Sequence, residues 1–264
     1  MEDKKIPLDW LVCPVTKEAL KQKNDTLYSS FGEFKKNSEY GFYDFVPYEL
    51  DELRSERWQI WDRLQVSGLI SYEKDPCNNL VVGERKDALE FMRFCDFRGN
   101  ILDVGCGPQA TPTHMAYCSK KDVFFVGIDP LVGDQPRSFA FVLGLGEYLP
   151  FRDELFHQVL LVTSLDHFID PIVPLKEARR VLRNDGEICV WIGEKDKDAP
   201  KRSESHEWYK ALEIPEGAED QFHFKRIAGF EFESYSKKSN LKLHKKEVHI
   251  IDNHRRNLFY QLVK

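Results

Sequence analysis

Five short apolar runs, at 101–104, 123–128, 139–143, 158–163 and 187–192, punctuate the middle of this chain. Apart from Asp103 and a polar residue at some run ends, they are continuously apolar rather than alternating. A strand reads that way when both of its faces are buried, as in a parallel sheet covered on each side. The clearest helical stretch between them is 171–182, PIVPLKEARRVL. Asp170 suits its N-cap and Pro171 its first residue, and Asn184-Asp185-Gly186 turns toward the next strand. Strands alternating with helices predict an α/β fold with a doubly wound sheet. Two last strand-like runs, 241–250 and 257–263, have no helix between them, which predicts a closing antiparallel pair. The expected sheet thus has seven strands, the last antiparallel.

The segments ahead of that sheet differ in kind. Residues 1–50 carry LVCPVTKEAL and two short β-like runs, TLYSSFG and SEYGFYDFVP, and read as a small β-rich module. Residues 51–98 read as a helical linker or cap. Leu53, Trp58, Trp61 and Leu64 recur at helical spacing up to Gly68, and a second helix is expected over 82–97. The remainder, 99–264, reads as the α/β domain. Its polar, Pro-containing segment 194–220 is expected to be a lid-like insertion.

Composition narrows the partners. The net charge of −6 disfavours broad nucleic-acid binding driven by counterion release. Lys237, Lys238, Lys242, Lys245, Lys246, Arg255 and Arg256 form a local exception near the C-terminus. No apolar run approaches the ~20 residues that a membrane span needs, and MEDKKIPLDW lacks a signal peptide's apolar core. Six cysteines are scattered with no C-x-x-C pair. The expectation is a cytoplasmic protein with free thiols.

One turn carries the chemistry. Residues 101–110, ILDVGCGPQA, place Gly105 and Gly107 after a strand, at the carboxyl end of the sheet where such folds bind ligands. Read as Gly105-x-Gly107-x-x-Ala110, the stretch also fits a dinucleotide-binding fingerprint. Asp103 argues against a dinucleotide. At ~4 Å from a phosphate, with an effective dielectric near 20, it would cost roughly 4 kcal/mol of repulsion. A cofactor carrying an ammonium and a sulfonium reverses that sign.

ILDVGCGPQ resembles the first motif of class I S-adenosylmethionine-dependent methyltransferases, of the type found in ubiquinone and menaquinone biosynthesis. FVGIDP (125–130) is similar to the second strand of that family. GEYLPFRDELFHQVLLVTSLDHFIDP resembles its adenine loop, fourth strand and substrate-facing segment, and EARRVLRNDGEICV its next helix and strand. The resemblance covers about residues 80–193. It implies S-adenosylmethionine as cofactor, held by Arg85, Asp103, Gly105, Gly107, Asp129, Pro130, Gly146, Glu147 and Ser164, with Asp129 on the ribose hydroxyls. Departures occur at Gln109, in place of a third glycine, and at Leu145, in place of an acid that binds adenine. Phe156-His157 replaces Phe-Asp. Only about ten residues follow Asp129 before the third strand, so the helix there is expected to be short or missing.

Ser164-Leu165-Asp166-His167 falls where that family places its acceptor. An adjacent Asp and His at a strand's carboxyl end suit removal of a proton from a hydroxyl. Asp166 and His167 are therefore the candidate catalytic residues. His223, expected to open a helix after the insertion, is the third.

LVCPVTKEAL through YGFYDFVP is similar to the small zinc-ribbon-like domain of a tRNA-methyltransferase activator subunit. It also resembles the N-terminal zinc domain of a bacterial ribosomal-RNA guanine methyltransferase. Zinc needs four ligands, typically cysteine pairs. Here Cys13 stands alone, with Thr16, Ser29 and Ser30 near the other positions, so no metal is expected. Together these readings imply methyl transfer to a small-molecule hydroxyl, such as that of a sugar. An RNA methyltransferase and an inactive cofactor-binding activator subunit are the alternatives.

Overall fold

The computed structural model describes residues 5–75, 85–198, 212 and 221–264. Most of the expected lid-like insertion, at 199–211 and 213–220, lies outside the described residues, as do Cys77 and the start of the expected second helix. A small antiparallel sheet comes first, from β1 (Lys21–Lys23), β2 (Thr26–Tyr28) and β3 (Glu33–Lys35). Two helices follow, α1 (Glu56–Lys74) and α2 (Lys86–Cys95).

The main sheet contains β4 (Asn100–Val104), β5 (Phe124–Asp129), β6 (Ala140–Leu143), β7 (Phe156–Val162), β8 (Leu182–Lys195), β9 (Lys242–Ile250) and β10 (Arg255–Val263). Its order is β6-β5-β4-β7-β8-β10-β9. β4 through β8 pair in parallel, and β10 runs antiparallel to both its neighbours. Helices α3 (Thr113–Ala116), α4 (Ile172–Val181) and α5 (Gly229–Lys238) complete the framework.

Successive strand residues explain the near-continuous apolar runs. Leu102, Val104, Val126 and Val159 face a core shared with Leu175, Ala178 and Phe232 of α4 and α5. Ile101, Phe125, Leu160 and Trp191 face the opposite core, with Phe91 and Phe94 of α2. Both faces are dry, so both must be apolar.

Four local features depart from the sequence reading. α1 does not stop at Gly68 but runs on to Lys74, because glycine is tolerated within a helix. β8 continues to Lys195, past the expected start of the insertion. The turn expected at 184–186 is a bulge within that strand, where the register jumps between Phe156 and Gln158. His223 does not open a helix: it lies in an irregular stretch, and α5 begins only at Gly229, with Glu231 bonding back to the Ala228 amide.

The N-terminal module shares the main core. Leu11, Cys13, Leu27, Phe34 and Phe45 belong to the same apolar cluster as the strands above. It also closes the sheet's edge: the Phe45 amide donates to the Leu143 carbonyl at 2.8 Å, and the Leu143 amide to Tyr43 at 3.0 Å. Asp44 thus pairs in parallel with Leu143, giving β6 a short outer neighbour. Lys17 anchors the module to α4 through Glu177 at 2.6 Å.

No helix follows β5. A right-handed crossover would place one on the α2 side of the sheet. There Phe42 packs edge-on against Phe141, with centroids 5.1 Å apart, and the Arg137 guanidinium lies 3.7 Å from the same ring's centroid.

Candidate active site

A cleft of about 420 Å³ opens at the carboxyl ends of β4, β5 and β7, within the size range of small-molecule sites. The glycine turn forms its floor. Gly105 and Gly107 both hold left-handed backbone, with φ +77 and +76, which a side chain would strain. A Cβ on Gly105 would also stand 2.5 Å from that of Ser164.

Asp129, at the end of β5, ties the turn together. Its Oδ2 accepts from the Gly107 amide at 2.7 Å and its Oδ1 from the Leu131 amide at 2.8 Å. Burial raises its pKa to about 6, and those amides and Arg137 pull the other way. Arg137, between β5 and β6, donates to the carbonyls of Gly107, Gln109 and Leu131 at 2.8, 3.1 and 2.9 Å. These are carbonyls that no regular helix takes up, because α3 has only four residues and starts at Thr113.

Asp103 lies on the same floor, fully buried. Its Oδ2 contacts His114 Nε2 at 2.8 Å, and its Oδ1 has no hydrogen-bond partner among the described residues. Ser164 donates to the Val104 carbonyl at 2.7 Å, locking the end of β7 to β4. Pro130 and Gly146 also line the cleft, and so does Arg85, which pairs with Asp87 at 2.8 Å.

Glu147 is a correction to the expected cofactor set. It is not among the cleft's lining residues, and both its oxygens are buried without hydrogen-bond partners. Burial pushes its pKa to about 8. The amides of Glu147 itself and Ile169 lower it without making sound hydrogen bonds, and Glu52 and Asp170 add repulsion.

At the other end of the cleft, the chain leaves β7 through Thr163, a β-branched residue held at φ +51. The short helical turn Leu165–His167 then brings up the candidate catalytic groups. Asp166 Oδ2 lies 3.5 Å from His223 Nε2 and 3.4 Å from Arg226, and its Oδ1 lies 4.0 Å from His167 Nε2. The two imidazoles are 4.5 Å apart between centroids. Trp61 of α1 donates to the His167 carbonyl at 2.9 Å, and the Lys225 amide to the Asp166 carbonyl at 3.1 Å. A helix and a distant loop therefore fix this corner.

The structure brings Asp166, His167 and His223 together and lines the cleft with every expected cofactor residue except Glu147. Sequence reasoning missed His114, Arg137, Arg226 and Tyr72. Tyr72 reaches over the turn from α1, and burial beside Asp129 raises its pKa to about 12. Tyr72 continues the helical spacing of Trp61, Leu64 and Gly68 beyond the expected end of that helix, and the other three stand in no motif or periodic position.

A family model described as "Methyltransferase domain" matches residues 102–190. A Haemonchus contortus phosphoethanolamine N-methyltransferase, solved with S-adenosylhomocysteine, is 14% identical with TM-score 0.54. The match covers 80% of this chain and 60% of that one. A Haloferax volcanii methyltransferase solved in complex with the Trm112 activator gives 15% identity and TM-score 0.50, covering 67% of this chain and 88% of that one. An uncharacterized Methanocaldococcus jannaschii protein is 36% identical over 62 residues, 24% of this chain. The chain spans about a third of that relative's length (30%). The solved structures bear out the fold.

Proposed function

From the premise that residues 102–190 are a methyltransferase domain, we propose that this protein transfers a methyl group from S-adenosylmethionine to a hydroxyl of a small molecule. Asp103 carries the reading. It is a buried carboxylate on the cleft floor with one oxygen unpartnered among the described residues, beside two glycines whose left-handed backbone a side chain would strain. Such a floor attracts a cationic ligand and repels a pyrophosphate.

The residues fit the cofactor. Asp103 faces the ammonium, and Asp129, already fixed by two backbone amides, meets the ribose hydroxyls. Gly146 and the apolar wall around Phe168 take the adenine, in place of the acid absent at Leu145. S-adenosylmethionine supplies an electrophilic methyl on its sulfonium. The protein aligns the acceptor with that methyl, and alignment alone lowers the barrier substantially.

Asp166 and His167 take the hydroxyl's proton as the methyl arrives, and His223 closes over the same carboxylate. Arg226 already sets a cation against Asp166, which favours proton handling over metal binding at this corner. A small-molecule acceptor accords with the net charge. The basic C-terminal residues are largely matched: Lys245 pairs with Glu247 at 2.9 Å, Lys246 with Glu233 at 2.8 Å and Arg255 with Asp252 at 2.6 Å. That pairing lowers the charge free for an RNA backbone.

The test incubates the purified chain with methyl-labelled S-adenosylmethionine and separate pools of sugar nucleotides, lipids and RNA. Label in a sugar or other small hydroxyl compound is expected. Label in RNA alone would replace the small-molecule reading.

A further inference from the structure

His114 and Asp103 form a buried pair in which His114 has no part in the methyl transfer itself. Their side chains are 7% and 0% exposed. A pair serving only to stabilise the fold would satisfy both carboxylate oxygens, because a buried unpaired acceptor is costly. Here Oδ2 meets His114 Nε2 at 2.8 Å and Oδ1 meets nothing among the described residues. A carboxylate can only accept, so in this contact the imidazole donates.

The imidazole is itself held. It sits on α3 between buried Thr113 and Met115, and Phe97 packs edge-on to it with centroids 6.4 Å apart. A lone aspartate on the cleft floor would rotate freely about its last side-chain bond, whose preferences are broad. With one oxygen engaged by His114, which like Asp103 lines the cleft, the carboxylate keeps a single orientation and leaves its other oxygen without a protein partner among the described residues.

We propose that His114 is a positioning residue for the cofactor's ammonium group, holding Asp103 by one carboxylate oxygen so that the other receives the cation. The inference rests on the reading of this cleft as an S-adenosylmethionine site.

Calorimetry on the full chain tests it with two ligands. S-adenosylhomocysteine carries the ammonium, and its deaminated analogue keeps the carboxylate and adenosine without it. The parent is expected to prefer the aminated ligand by roughly 10- to 100-fold, the usual worth of a charge-assisted hydrogen bond. His114→Ala is expected to weaken S-adenosylhomocysteine about 10-fold and to change the analogue less than about twofold. His114→Gln, whose amide can donate to Asp103, should restore the preference, and Asp103→Asn should abolish it. Equal weakening of both ligands by His114→Ala, or an undiminished preference, would overturn the proposal. If His114→Ala fails to fold, a full preference retained by Asp103→Asn overturns it instead. A parent that binds neither ligand defeats the cofactor reading itself, and the inference falls with it.

Discussion

Asp166 is placed to be shared: two imidazoles and a guanidinium converge on one carboxylate, on backbone that Trp61 and Lys225 pin from outside. If this group removes the acceptor's proton, Asp166→Ala or His167→Ala should cut turnover by roughly 10²–10⁴-fold. Affinity for S-adenosylmethionine should barely change, since neither side chain is assigned to the cofactor. Turnover near the parent's in both variants, measured once an acceptor is known, would make the group structural. Glu147 permits a second test. Its folded pKa of about 8 lies above the ordinary 4.5, so between those values the native state keeps a proton that the unfolded chain releases. The contribution of Glu147 to stability is therefore fully present below about pH 4.5 and is lost as pH rises through that window, by an amount on the order of 5 kcal/mol. Asp129 adds the same sign up to about pH 6. Denaturant unfolding at pH 5 and pH 8.5 should show a large drop for the parent and a much smaller one for Glu147→Gln. Equal drops would mean that Glu147 is ionised without penalty.

At the scale of elements, the N-terminal module is a wall of the main core. It buries Leu11, Leu27, Phe34 and Phe45 there and covers the edge of β6. Four such side chains at roughly 1.5–3 kcal/mol each amount to about 10 kcal/mol, comparable with the whole stability of a typical domain. A chain lacking residues 1–48 should therefore aggregate or lack cooperative unfolding, as read by gel filtration and thermal melting. A monomer melting near the parent's temperature would show the module to be dispensable. The module should also hold together without zinc. Burial alone would raise the Cys13 pKa, but hydrogen bonds from the Ser29 hydroxyl at 3.3 Å and the Thr16 amide at 3.4 Å outweigh it and hold the thiol below its ordinary value. The sulfur is thus provided for by residues standing near absent cysteine partners. Elemental analysis of protein purified without chelator should give less than one zinc per chain. A stoichiometric zinc whose removal unfolds the module would contradict this.

For the molecule as a whole, the decisive property is the sign of charge on the cleft floor. Asp103 and Asp129 leave it acidic, and α3 begins too late and is too short to offset that with amides aimed at a phosphate. S-adenosylmethionine and S-adenosylhomocysteine should bind in calorimetry, and NAD should not. Asp129→Ala should weaken the former by at least about tenfold, as expected for loss of charge-assisted hydrogen bonds. Tight NAD binding, or unchanged S-adenosylmethionine affinity in that variant, would remove the central claim.

The sequence by itself determined the layers and the floor of the site. Uninterrupted runs such as Val123–Ile128 announce strands buried on both faces, and Gly105 and Gly107 stand where only glycine holds φ near +77. These are local properties, written in period and residue type, and they survive whatever the loops do. Tertiary structure alone decided which polar groups meet. Arg137 reaches the glycine turn only because no helix follows β5, and His114 reaches Asp103 only because α3 folds back over β4. His223 joins Asp166 from an irregular loop rather than from the helix its position suggested, and Glu147 turns from the cleft into the core. No periodicity encodes such pairings. A buried polar group takes whatever partner the closed chain brings within about 3 Å, and which segment that is depends on the path of the intervening residues.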